Sequence, residues 1–108
     1  MMNNSIEIML VCSAGMSTSM LVRAMKNVIS DRNLKVNVFA KPSTDAMEYL
    51  DEYPVDVVLL GPHVRFFEDN YKEELAQKKI PVTVIPPRDY GTMNGEKVLE
   101  LAMNLLEK

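Results

Sequence analysis

A chain of 108 residues, 47% of them hydrophobic, fits one domain of common size with enough apolar surface for a proper core. The formal charge of −3 and a pI near 5.1 argue against nucleic acid or anionic lipid as the main partner, because both demand a basic face and the Lys and Arg residues here are scattered. A single cysteine cannot close an internal disulfide, no charged-then-apolar leader precedes the first apolar run, and nothing approaches the roughly 18 apolar residues of a membrane span; a reducing cytoplasm is the expected compartment, with no direct membrane insertion.

Strand and helix alternate along the chain. Ile6 to Val11 reads as a buried strand, followed by a small-residue loop from Cys12 to Ser17 and a helix over about Ser17 to Asp31 with Met20, Leu21, Ala24, Met25, Val28 and Ile29 as its apolar stripe. The alternation in Val36-Asn37-Val38-Phe39 predicts a half-exposed edge strand. Pro42-Ser43-Thr44-Asp45 opens a short helix with Ala46, Met47 and Leu50 inward, Ser43 or Thr44 serving as its cap, and Pro54 closes it. Val55 to Leu60 is almost continuously apolar, as a central parallel strand should be, and Gly61-Pro62 ends it. Phe67, Tyr71 and Leu75 recur at helical spacing until Lys78-Lys79. Glu73-Glu74 and those two lysines read as a solvated face. Val82 to Ile85 gives the fourth strand. A polar loop from Pro86 to about Asn94 then leads to a last helix that turns Val98, Leu99, Ala102, Leu105 and Leu106 inward.

Four such βα units predict an α/β fold, a four-stranded parallel sheet of order 2-1-3-4 with right-handed crossovers and helices on both faces. Ligand chemistry in such a sheet belongs at the switch point, outside the carboxyl ends of strands one and three. The loops meeting there begin at Cys12 and Gly61, with Arg88 to Gly91 on the same rim.

Cys12 stands where a strand gives way to a helix. Free N–H groups at a helix start and in a small-residue loop bind anions and favour negative charge, so a thiol there leans toward thiolate, the nucleophilic form. The geometry suits a sulfur that attacks phosphorus and holds the phosphoryl group among the amides of Ser13, Ala14, Gly15, Met16, Ser17 and Thr18, with Gly15 easing the turn. Other readings stay open. A free cysteine is often a small buried hydrophobe, and Ser13, Ser17, Thr18 and Ser19 also suit helix capping.

The string Val-Cys-Ser-Ala-Gly-Met-Ser-Thr-Ser-Met after strand one, Asp-Val-Val-Leu-Leu-Gly-Pro in strand three, and Tyr90-Gly91 before the last helix resemble the enzyme IIB component of the sugar phosphotransferase system, lactose/cellobiose class. The resemblance covers essentially the whole chain, residues 1–108, as one IIB domain. It implies that Cys12 accepts a phosphoryl group from a histidine on a phosphorylated IIA protein and passes it to a sugar bound by the membrane IIC permease. Cellobiose, chitobiose and lactose all fit, and the class also implies association with the membrane through IIC. No metal or organic cofactor is implied. One departure lies at Gly61-Pro62-His63, where Gln commonly follows Gly-Pro. His63 is either a rim residue near Cys12, tempting as a general acid, or an exposed first-turn residue; Tyr90 either lines the rim or packs against the last helix. Met16 is a candidate for a partner-facing surface.

Three rival classes share the architecture, the first being a tyrosine phosphatase or an arsenate reductase. Low-molecular-weight tyrosine phosphatases also use a cysteine loop after strand one, but they place an Arg clamp at the position held here by Thr18; Asp89 would be the candidate acid. An arsenate reductase would need further cysteines. A phosphorelay receiver needs acidic residues at the ends of strands one and three, where Val11-Cys12 and Leu60-Gly61 stand instead. A flavin binder would want aromatic flanks, and the chain has no Trp.

Overall fold

The computed structural model describes residues 5–13 and 16–107, the side chains of Met16 and Ser17 excepted. β1 (Ile6–Cys12) runs through the middle of the sheet. Its side chains alternate between two faces and both are buried: Ile8 and Leu10 join one apolar cluster, Met9 and Val11 the other. A strand covered on both sides must be apolar at every position, which is why Ile8 to Val11 carries no polar residue. β2 (Val36–Pro42) and β3 (Val57–Leu60) flank β1 in parallel, and β4 (Val82–Val84) pairs with β3. The order is 2-1-3-4, as the βα alternation predicts.

Helices α1 (Met16–Asp31) and α5 (Gly95–Leu106) cover one face, where Leu21, Met25 and Ile29 meet Val98, Leu99 and Ala102 above Ile8, Leu10, Val57 and Leu59. Helices α2 (Ser43–Glu52) and α3 (Glu68–Ala76) cover the other, bringing Ala46, Leu50, Tyr71 and Leu75 onto Met9, Val11, Val58 and Leu60. Asn94 caps α5 by accepting a hydrogen bond from the Lys97 amide at 3.1 Å. Gly95 lets α5 start hard against α1: a Cβ there would lie 2.6 Å from the Ala24 carbonyl carbon.

Several local expectations are corrected. Met20 is 54% exposed and Val22 takes its place inside, because Thr18, Leu21, Val22, Met25 and Ile29 share one stripe and Met20 lies on the far side of the helix. β2 extends past Phe39 to Pro42, pairing residue for residue with β1 as far as Cys12. β3 begins at Val57, not Val55, because Asp56 turns to Glu7: its amide donates to the Glu7 carbonyl at 2.9 Å and its carboxylate accepts from the Glu7 amide at 2.7 Å. Neither Ser43 nor Thr44 caps α2. Pro42 occupies that position without a side-chain bond, and Thr44 donates to Asp45 instead. A 3-10 helix (Pro62–Phe67) precedes α3, and the expected loop after Pro86 holds a single helical turn, α4 (Pro87–Gly91). Glu73 and Glu74 are solvated as expected. Lys78 is not merely solvated: its ammonium bonds the Leu50 carbonyl and the Asp51 carboxylate, each at 3.0 Å.

Candidate functional site

Cys12 is the last residue of β1, half-buried at the carboxyl end of the sheet. Because β2 continues to Pro42, the edge strand reaches alongside it, and the thiol donates weakly to the Lys41 carbonyl at 3.8 Å. On the other side, the Gly61 amide donates to the Val11 carbonyl at 2.9 Å, so the loop leaving β3 is tied next to the cysteine. α1 starts at Met16, and the first amides of any helix lack partners within it. The site therefore sits at the switch point where the strand order reverses.

Thr18, the third residue of α1, is only 2% exposed and does not act as a cap. Its hydroxyl lies 2.8 Å from the Tyr90 hydroxyl, and either oxygen can donate. Tyr90, on α4, does both things open to it: it faces the rim and packs against the cluster beneath α1 and α5. A Cβ on Gly61 would lie 3.6 Å from the edge of its ring. His63 is exposed and stands edge-on to the same ring, centroids 5.6 Å apart.

Thr18, His63, Gly61 and Tyr90 thus come together beside the end of β1, while Ser13 is exposed just beyond the thiol. Ala14 and Gly15, with the side chains of Met16 and Ser17, lie outside the described residues. Sequence reasoning missed two features. The Lys41 carbonyl carries no side-chain signal, and no local pattern marks Phe66, 73% exposed on the 3-10 helix leaving β3, as a surface residue.

Known proteins share this fold and sequence. The family pattern described as PTS system, Lactose/Cellobiose specific IIB subunit matches residues 7–101. The cellobiose-specific EIIB component of Lactococcus lactis subsp. lactis is 39% identical over 102 residues, spanning 92% of this chain and 94% of its own. The oligo-beta-mannoside-specific EIIB component of Bacillus subtilis is 36% identical over 93% of this chain and 95% of its own. Among solved structures, the cellobiose-specific phosphotransferase IIB component of Borrelia burgdorferi superposes with a TM-score of 0.78 at 44% identity, covering 96% of this chain and 94% of that one. The lactose-specific IIB domain of Streptococcus pneumoniae reaches the same TM-score of 0.78 at 15% identity over 94% of this chain and 98% of that one, a likeness of fold. With the pattern spanning nearly the full length and full-length relatives above a third identity, the chain belongs to the lactose/cellobiose-specific IIB subunits of the phosphotransferase system, a family of phosphotransferases.

Proposed function

We propose that Cys12 carries a phosphoryl group from a phosphohistidine on a IIA protein to a sugar bound by the membrane IIC component. IIB components work with IIA and IIC partners. The observation that carries the reading is the placement of the chain's one cysteine at the end of β1, at the switch point and ahead of the free amides of α1. The thiol loses its proton and attacks phosphorus as the thiolate; an S–P bond forms, the N–P bond breaks, and the histidine takes up a proton, directly or through solvent, to leave as neutral imidazole. In the second step a sugar hydroxyl attacks, the S–P bond breaks, the hydroxyl proton passes to base or solvent and the thiolate is regenerated. Both steps need alignment and charge stabilisation more than covalent help. Ser13 and the amides running to Thr18 would hold the phosphoryl oxygens, with Ala14, Gly15, Met16 and Ser17 between them.

Relatives named for cellobiose and oligo-beta-mannosides support a beta-linked disaccharide such as cellobiose, chitobiose or lactose as the sugar. No helix among the described residues is long and apolar enough to cross a membrane. In this reading the chain works in the cytoplasm and meets the membrane through IIC. The docking face for IIA would be the rim at Met16, Gly61 to His63 and Tyr90, extended by the exposed Phe66. Amide shifts in an NMR titration with IIA should cluster there.

The phosphatase alternative needs a cation where Thr18 stands. That side chain is buried and bonded to Tyr90, which leaves no room for a guanidinium without rebuilding the first turn of α1. The test is incubation with phosphoenolpyruvate, the general phosphotransferase proteins and a matching IIA, followed by mass spectrometry. A single phosphoryl group on Cys12, with p-nitrophenyl phosphate hydrolysis near background, supports the carrier; brisk Cys12-dependent hydrolysis, or label on His63, would overturn it.

A further inference from the structure

We propose that Tyr90 is a positioning residue for phosphoryl transfer, acting through the buried hydroxyl of Thr18 to fix the first turn of α1 against the strand ends that carry Cys12. This rests on Cys12 being the phosphoryl acceptor.

Thr18 needs an internal partner because its side chain is almost wholly removed from water. A threonine in a helix can turn its hydroxyl back to a carbonyl of the preceding turn. Here the hydroxyl lies 2.8 Å from that of a tyrosine 72 residues away in sequence. That tyrosine is itself held on several sides: against Gly61, edge-on to His63, and against the apolar cluster. Gly61 is bonded to the carbonyl of Val11, the residue before Cys12. The contacts form a continuous path from the thiol's own strand, through Gly61 and the Tyr90 ring, to Thr18 in the first turn of α1. Among the described side chains of α1, the first to join the apolar cluster is Leu21. The Tyr90 hydroxyl therefore holds the part of the helix nearest the chemistry. In-line transfer is sensitive to displacements of about 1 Å, so loosening this turn should slow transfer without weakening docking.

The test is rapid-quench transfer from phospho-IIA to the full chain, read by mass spectrometry of Cys12, on wild type, Tyr90→Phe, Thr18→Val, Thr18→Ser and the Tyr90→Phe/Thr18→Val double variant. Tyr90→Phe keeps the ring and removes only the hydroxyl. Expected is a fall of about ten-fold in kcat with KM for phospho-IIA unchanged, recovery of most of the rate in Thr18→Ser, and a double variant no slower than either single one. Melting curves identify any variant that fails to fold, and Tyr90→Phe carries the test alone should Thr18→Val do so. Wild-type kcat in Tyr90→Phe, additive losses in the double variant, or a raised KM at constant kcat would overturn the proposal. If the wild type takes no label on Cys12, the carrier reading itself falls, an outcome distinct from the others.

Discussion

At the amino-terminal end of the sheet, Glu7 and Asp56 exchange two hydrogen bonds between β1 and the start of β3, and Asn37 donates to the Glu7 carboxylate from β2 at 2.9 Å. Lys78 ties the turn after α3 to the end of α2. At the carboxyl end, among the described residues, side-chain bonds join Cys12 to the Lys41 carbonyl and Thr18 to Tyr90. Ser13, His63 and Phe66 are left exposed around them. One end closes the fold with carboxylate, amide and ammonium side chains bonded across its elements, while the other sets a half-buried cysteine among exposed side chains.

The largest contrast is expected from paired substitutions at the two ends. Cys12→Ser should abolish phosphoryl acceptance while melting like the wild type, because serine is only weakly nucleophilic at neutral pH. Asp56→Ala should do the reverse, costing about 1 kcal/mol and sparing acceptance. Chemical denaturation and the mass-spectrometric assay on both variants check this. A comparable loss of acceptance in Asp56→Ala would show that the two ends are not separable.

Glycines sharpen the division between body and rim. Gly95→Ala would drive a Cβ into the α1 backbone at 2.6 Å and should cost about 3 kcal/mol, since backbone cannot step aside as a side chain can. Gly91→Ala, on the rim, meets nothing within 4 Å and should change stability by less than about 0.5 kcal/mol. Urea midpoints of the two variants test the pair, and equal losses would refute the reading of the α1–α5 seam.

A smaller effect of opposite sign is expected at the amino-terminal end. Lys79 follows α3 at φ 59°, with its amide bonded to Ala76 and that of Ile80 to Leu75, a helix stop that favours glycine. Lys79→Gly should stabilise by about 1 kcal/mol and leave transfer unchanged. A lower midpoint would mean that the lysine side chain contributes more than its backbone conformation costs.

Much of this was legible because strand and helix periods are strong signals in a chain with few breaks. The apolar runs at Ile6 to Val11 and Val55 to Leu60, with helical stripes between them, led to the sheet order and so to the switch point at Cys12. What stayed hidden depends on contacts that no local pattern encodes. Thr18 sits in a Ser/Thr string that suits capping, and only the folded chain brings Tyr90 to it. Asp56 is the one polar residue in the run from Val55 to Leu60, and only the folded chain shows that its exchange with Glu7 delays β3. Met20 belongs to an apolar run in sequence and falls outside the stripe once the helix phase is fixed by Leu21 and Met25.

The smallest effect concerns pH and the face of the sheet covered by α2 and α3. Tyr71 on α3 is buried in the cluster with Leu75 and Val58, and that burial raises its phenol pKa above the ordinary value of about 10 by disfavouring the charged form. Below pH 10 the folded and unfolded chains both hold the proton, so Tyr71 adds no pH slope. Above it the unfolded chain releases the proton while the folded chain keeps it, and stability falls with rising pH until the raised folded value is passed, by at most about 1.4 kcal/mol per pH unit. Tyr71→Phe removes this group and should flatten the alkaline limb of stability against pH relative to wild type, with the two curves parallel from pH 7 to 9. Urea midpoints measured from pH 7 to 11 read the difference. Parallel curves throughout would mean that the phenol ionises as readily in the fold as in the unfolded chain.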